Sequence, residues 1–349
     1  MQPITADRSD HMFDRRFLLA LIIPLFFEQL LAVTIGMADT MMVASVGEAA
    51  VSSVSLVDAI TNLVITLFAA FATGGAVVAS QYLGRKLYVE ANRAAKQLLM
   101  LSLAVSTGLL LLAMPFRTPI IRFIFGQIDD TVLHFSSQYF FFILLSFPFL
   151  AVYNASAALF RSMGNSRVSL WVSVAMNLTN IGGNAYFIFV QKMGVAGAGL
   201  STLLSRVLGA LIMLILIRGE SNQIRVRSLH RFRFQKEMIS RILRIGVPTG
   251  IENSLFHLGR LIVQTFVSTF GTAAIAANAI SGTVSSFINI PGWAISLASI
   301  TIIGQAVGAQ RYDEATYWGK RLIGISYFLL AVLAIPGIYF APLMASLFN

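Results

Sequence analysis

Nine apolar runs, each at least roughly 20 residues long, follow one another between Phe17 and Phe348, and each can cross a hydrocarbon core about 30 Å thick as a helix. They cover 17–46, 50–82, 95–116, 132–160, 167–190, 194–217, 239–270, 274–308 and 320–346. The runs are continuous Leu, Ile, Val, Ala and Phe, without the ten-residue alternation of a membrane β-barrel. An all-α polytopic membrane protein follows. Composition agrees: 11% of the 349 residues are charged, against about 25% in a soluble domain.

The opening MQPITADRSDHMFDRR carries three Asp residues and no small-residue cleavage site after a short apolar core, so it is not read as a secretory signal. The expectation is that nothing is removed. Cysteine is absent, which excludes disulfides and thiolate metal sites.

The net charge of +10 is distributed by loop rather than gathered on one face, which argues against nucleic acid as a partner. Twenty of the 25 Lys and Arg residues fall in the N-terminal segment and the even-numbered loops, eight of them between Arg218 and Arg244. The odd-numbered loops hold Arg117, Arg122 and Lys192 alone; Arg206 and Arg260 lie inside runs. By the positive-inside rule the N-terminus is cytoplasmic, and nine helices leave Asn349 outside.

An internal repeat organises the chain. Shifted by 224 residues, Pro24 meets Pro248, Glu28 Glu252, Gly47 Gly271, Gln81 Gln305, Gly84 Gly308, Tyr88 Tyr312, Glu90 Glu314 and Lys96 Lys320, without a gap. Matched Leu or Ala could be accidental between apolar segments; matched Pro, Glu, Gln, Gly and Lys in one register are not. The offset spans six helices, an even number, so the copies are parallel repeats about an axis along the membrane normal. The expected organisation is an N-lobe over 1–220 with six helices, a basic cytoplasmic linker over 221–238, and a partial C-lobe over 239–349 with three. The second copy stops at the equivalent of residue 125, and a truncated reading frame is the expected reason.

A charge at the bilayer centre costs at least about 2.5–3.5 kcal/mol, so each one inside a run needs an interior partner, water or an ion. Glu28 and Asp39 in the first run are eleven residues apart and return to nearly one helix face. Asn177, Asn180 and Asn184 in the fifth run are spaced three and four apart, so their amides share a face. Asp58 is expected near outer water and Arg206 and Arg260 as structural partners. Glu28 and Glu252 each follow a proline by four residues, where they can also satisfy loosened backbone groups. Pro291-Gly292 marks a bend in the eighth run. No phosphate-binding loop, His-Glu-x-x-His motif or nucleophile elbow is present, so ATP hydrolysis and hydrolytic chemistry lose support and the chain is not read as an enzyme.

The segment PLFFEQLLAVTIGMADTMMVASVG resembles the first helix of the MATE (multidrug and toxic compound extrusion) transporters. QYLGRK, NIGGNAYFIF, IGVPTGIEN, FGTAAIAANAIS, IPGWAIS and GQAVGAQ extend the resemblance over nearly the whole chain, closest to the bacterial NorM/DinF type. It implies a bacterial inner or plasma membrane, two lobes around a central cavity, and inward Na⁺ or H⁺ exchanged for outward organic, often cationic compounds, with no other cofactor. Carried over by position, Asp39, Asn180, Asn184 and Glu252 are the implied cation-coupling residues, with Asp39 a possible Na⁺ ligand. Asn184 stands where some members carry Asp, and Glu252 follows its proline about one turn sooner than the usual acid. Glu28, Met37, Asn177 and Gln305 are candidates for the substrate cavity. Two rivals remain at this point: a flippase for lipid-linked saccharides of the same superfamily, which a strongly cationic cavity would favour, and a non-transporting membrane scaffold or receptor, which larger loops would favour.

Overall fold

The computed structural model of the chain describes residues 11–126, 128–226 and 233–339. Ten α-helices and no strand occur among them: α1 Arg15–Ala44, α2 Glu48–Gly84, α3 Tyr88–Ala113, α4 Arg117–Phe125, α5 Asp130–Ser162, α6 Ser166–Asn184, α7 Val195–Leu216, α8 Lys236–Ser268, α9 Thr272–Gly308 and α10 Tyr312–Tyr339. A π-helical turn, Ala185–Val190, extends α6. Apart from the nine-residue α4, which the sequence had left to a loop, these are the nine expected helices. Seven are long and apolar enough to cross a membrane by length and composition alone. The exceptions α6 and α8 carry the Asn177/Asn180/Asn184 and Glu252/His257/Arg260 sets.

The third and ninth runs begin earlier than expected, because α3 and α10 start at Tyr88 and Tyr312 rather than near 95 and 320. Their first two turns are polar, and a hydropathy reading counts only the turns that leave water. The two starts are themselves 224 apart, as are both ends of α2 and α9 and the ends of α1 and α8. The turns repeat as well. Gly47 and Gly271 take φ of 129° and 95°, and Lys86 and Gln310 take 59° and 62°.

Helix α2 is the centre of the bundle, packed against α5 on one side and α8 and α9 on the other. Phe68, Phe140, Phe147, Ile143 and Leu144 are fully buried between α2 and α5. The first half of α1 takes a different partner: Leu18, Leu21 and Leu25 pack on Ala294, Ile295, Ala298 and Ile302 of α9. Helix α6 runs along α1 from Ser166, whose Oγ donates to Leu21 O at 2.7 Å, to Asn184, so α1 bridges the halves of the chain.

The end of the bundle that carries the basic loops is tightly closed. Gly84 lies against the Gln305 carbonyl and Gly308 against the Gln81 carbonyl, and a Cβ at either glycine would collide with that backbone. Since 305 and 308 are the repeat partners of 81 and 84, the crossing of α2 and α9 is self-complementary, like an isologous dimer contact within one chain. Side chains of α9 also satisfy the last carbonyls of α5, which have no intrahelical donor. Thr301 Oγ1 donates to Arg161 O at 2.8 Å and Gln305 Nε2 to Ser162 O at 2.7 Å.

Candidate functional site: an acid and two amides between α1 and α6

At the other end, Asp39 projects from the penultimate turns of α1 toward α6, half-buried. Asn184 Nδ2 donates to Asp39 Oδ1 at 2.7 Å. With the Asn180 amide turned so that both its atoms are satisfied, its nitrogen donates to Asp39 Oδ1 at 2.7 Å and Oδ2 at 3.2 Å, and its oxygen accepts from Thr202 Oγ1 at 3.3 Å. Asn180 and Asn184 meet the acid together because four residues are one helical turn. Gly183 lets α7 approach: a side chain there would press on Ser201, whose Oγ donates to the Asn180 carbonyl at 2.6 Å. The π-turn begins directly after Asn184, and such turns recur at functional positions because they shift the helix register locally. Asn184 Oδ1, buried beside the carboxylate, has no hydrogen-bond partner among the described residues; the Ser80, Ser102 and Ser156 hydroxyls, away from this site, are the other buried side-chain atoms without one.

Asp58 is not at outer water, as the sequence suggested. It turns into the first half of the bundle, where Tyr139 Oη donates to it at 3.4 Å. Arg206 on α7 donates to Ser146 Oγ at 2.7 Å and lies within electrostatic range of both Asp39 and Asp58. Two acids and one cation thus share a neighbourhood. Distance along the chain misled here, since Asp58 lies near the start of α2 while α5 and α7 cover that face.

The remaining candidates are dispersed. Asn177 donates to Ser173 Oγ one turn back and does not reach Asp39. Glu28 is buried at the closed end, where Ser169 Oγ donates to it at 2.7 Å and Arg161 pairs with it at 3.6 Å. Gln305 belongs to the closed crossing rather than to a cavity. Glu252 is exposed on α8, with no hydrogen bond among the described residues. Met37 does line a groove. Val33, Gly36, Met37, Thr40 and Met41 of α1 face Ser286 of α9 across about 460 Å³. Asp39 leaves α1 on another face, so the helix presents its acid to α6 and its groove face to the second half. Thr202, Ser201 and Tyr139 were not anticipated; the four-residue spacing of Thr202 and Arg206 was the available signal.

A two-half helical membrane protein, closed at one end, grooved at the other, with a carboxylate held by amides inside its first half, has the build of a secondary transporter. The chain belongs to the MatE family, whose sequence profile matches residues 24–186 and 248–349. The transporter YisQ of Bacillus subtilis is 28% identical over 336 residues, 91% of this chain and 72% of the relative. The probable multidrug resistance protein NorM of Thermotoga maritima is 29% identical, covering 84% and 63%. The multidrug export protein MepA of Staphylococcus saprophyticus is 28% identical, covering 74% and 57%, so the chain spans about three fifths of the last two relatives. Among solved structures, MATE in the straight conformation superposes with a TM-score of 0.89 at 21% identity over 96% of this chain and 74% of the other. An outward-facing multidrug resistance MATE transporter superposes with 0.88 at 20%, covering 96% and 74%. The fold is therefore that of MATE transporters, and the protein is multi-pass.

Proposed function

We propose that the chain works as a cation-coupled multidrug antiporter, with its N-lobe over 1–220 and a partial C-lobe over 239–349 joined by a cytoplasmic linker. The relatives named for multidrug resistance and export support the cargo class, organic and often cationic compounds. The observation that carries the coupling reading is the Asp39–Asn180–Asn184 cluster with its unmatched Asn184 oxygen. A carboxylate beside a spare amide oxygen suits Na⁺, which takes oxygen ligands, and equally a proton placed on Asp39 Oδ2.

In this reading α1 is the coupling element. Uptake of a cation changes the attraction between Asp39 and the α6 amides, and the groove on the adjoining face of α1 changes shape with it. The closed Gly84/Gly308 end and the grooved opposite end correspond to a state open to the outside. The basic loops support a cytoplasmic N-terminus in a bacterial plasma membrane.

The test is dye efflux from vesicles under separately imposed Na⁺ and pH gradients, using this chain and a version continued past Asn349 to the length of its relatives. One gradient should drive efflux, and Asp39→Asn should abolish the response while leaving membrane insertion intact. Parental efflux by Asp39→Asn, with loss in Asp58→Asn, would move the ion path to α2.

A further inference from the structure

At the closed end, a cleft of about 200 Å³ separates the last turn of α2 from the first turns of α8. Val78 and Ile245 form apolar walls, and Arg85, Arg241 and Arg244 converge on it from the two halves of the chain. No acidic residue lines it. Arg85 Nε donates to Gly308 O at 3.1 Å and Arg241 Nη1 to Tyr82 Oη at 2.7 Å, both neutral acceptors that fix the guanidinium planes without cancelling their charge. Other arginines at this end have carboxylates: Arg93 pairs with Glu90 at 2.7 Å, Arg161 with Glu28 at 3.6 Å and Arg311 with Glu314 at 3.4 Å. Among the described residues, none of the three cleft arginines has one within ion-pair distance.

Three like charges around one small concavity repel each other unless an anion enters. Planar forked donors match the oxygens of a phosphate better than a point charge does. The cleft lies at the ends of α2 and α8 that adjoin the basic loops, the side the positive-inside rule makes cytoplasmic, and basic pockets between membrane helices on that side hold phosphate-bearing headgroups. The cleft of about 200 Å³ has room for a phosphate group.

We infer that this interlobe cleft is an anion site for a phosphate group, supplied by an anionic phospholipid headgroup or by free phosphate. Because Arg85 caps the end of α2 and Arg241 and Arg244 belong to α8, a bound phosphate joins the two halves and favours the state in which the basic end is closed. The inference is independent of transport, since binding is read without a gradient and efflux can fail while it stands.

Native mass spectrometry of the detergent-purified chain with phosphatidylglycerol or phosphatidylcholine tests it, alongside thermal unfolding in inorganic phosphate. The parental chain should retain phosphatidylglycerol in preference, and R241Q/R244Q should weaken that preference about tenfold. R15Q/R16Q removes the same charge from the same end outside the cleft and should change it less than twofold. The substituted side chains are exposed, so ligand-free unfolding of both variants should match the parent. R244K, which keeps charge but loses the fork, should fall between. A phosphate-dependent rise in unfolding temperature that R241Q/R244Q loses, without lipid preference, supports the cleft with free phosphate as its source. Equal effects of the two double variants, or parental lipid retention and phosphate response in R241Q/R244Q, would overturn the site.

Discussion

Glu28 and Glu252 occupy the same repeat position, four residues after a proline, yet their surroundings are opposite. Glu28 is buried against Ser169 and Arg161, both supplied by helices α5 and α6 of the first half. Glu252 is exposed, and the described chain has no equivalents of those helices beside it. Glu90 and Glu314 diverge the other way. Glu90 holds Arg93 at the surface, whereas Glu314 is buried and accepts from His11 Nδ1 at 2.9 Å, the Met12 amide at 3.2 Å and Trp318 Nε1 at 2.9 Å. The segment before α1 thus docks on α10 through Glu314, and the segment before α8 docks on α3 through a different side chain, Gln97, which accepts from the Gln235 amide at 3.2 Å and donates to Arg233 O at 2.8 Å. The Gln81/Gly84 and Gln305/Gly308 pair keeps one packing role in both copies, because each copy serves as the other's partner there. Repeat position therefore carries backbone geometry faithfully, while side-chain role depends on which helices stand opposite.

The sharpest check is to neutralise both repeat acids. Glu28→Gln leaves Arg161 buried beside a neutral amide and should cost about 3–5 kcal/mol in unfolding free energy. Glu252→Gln should stay within about 0.5 kcal/mol of the parent. Equal losses would mean that the two halves are more alike than their contacts indicate.

The symmetric crossing should respond alike from either side. Gly84→Val and Gly308→Val each force a side chain into a backbone carbonyl of the opposing helix and should cost up to about 3 kcal/mol, the upper range for overpacking. A measured difference above about 1 kcal/mol would break the self-complementary description. Glu314→Gln should cost about 1.5–3 kcal/mol through weakened bonds to a charged acceptor. Glu90→Gln should cost about 0–1 kcal/mol, as for an exposed ion pair. Unfolding of the purified chain in detergent, followed by circular dichroism, measures all of these.

The smallest effect belongs to a position with no counterpart before Asn349. Asp129 caps α5, accepting from the Thr131 amide at 2.8 Å, and that bond holds its carboxyl below the ordinary value of 3.8. A depressed carboxyl contributes stability that is present above 3.8 and lost as pH falls through the folded-state value. Asp129→Ala should lower the neutral-pH transition slightly and remove this acid-side dependence, so that variant and parent converge as pH falls below the folded-state value.

The sequence alone determined the membrane class, nine of the ten described helices, the offset of 224 and the shared face of Asn180 and Asn184, while the choice of Asp39 with those two amides came from the resemblance to the MATE transporters. The helices, the offset and the shared face rest on periodicity or spacing along the chain, where 3.6 residues per turn and a fixed offset translate directly into geometry. Helix starts were legible only where apolar residues begin, so the polar first turns of α3 and α10 escaped. Tertiary structure alone decided that Asp58 turns inward to Tyr139, that Asn177 stays on its own helix, that Glu28 is paired while Glu252 is not, and that Gln305 clamps α5 instead of lining a cavity. Each depends on a partner more than 80 residues away or on the absence of one, and burial by a distant helix leaves no periodic trace near the residue it covers. The arginine cleft is of the same kind: its charges were countable as loop residues, but their convergence without a carboxylate exists only once α2 and α8 are packed together.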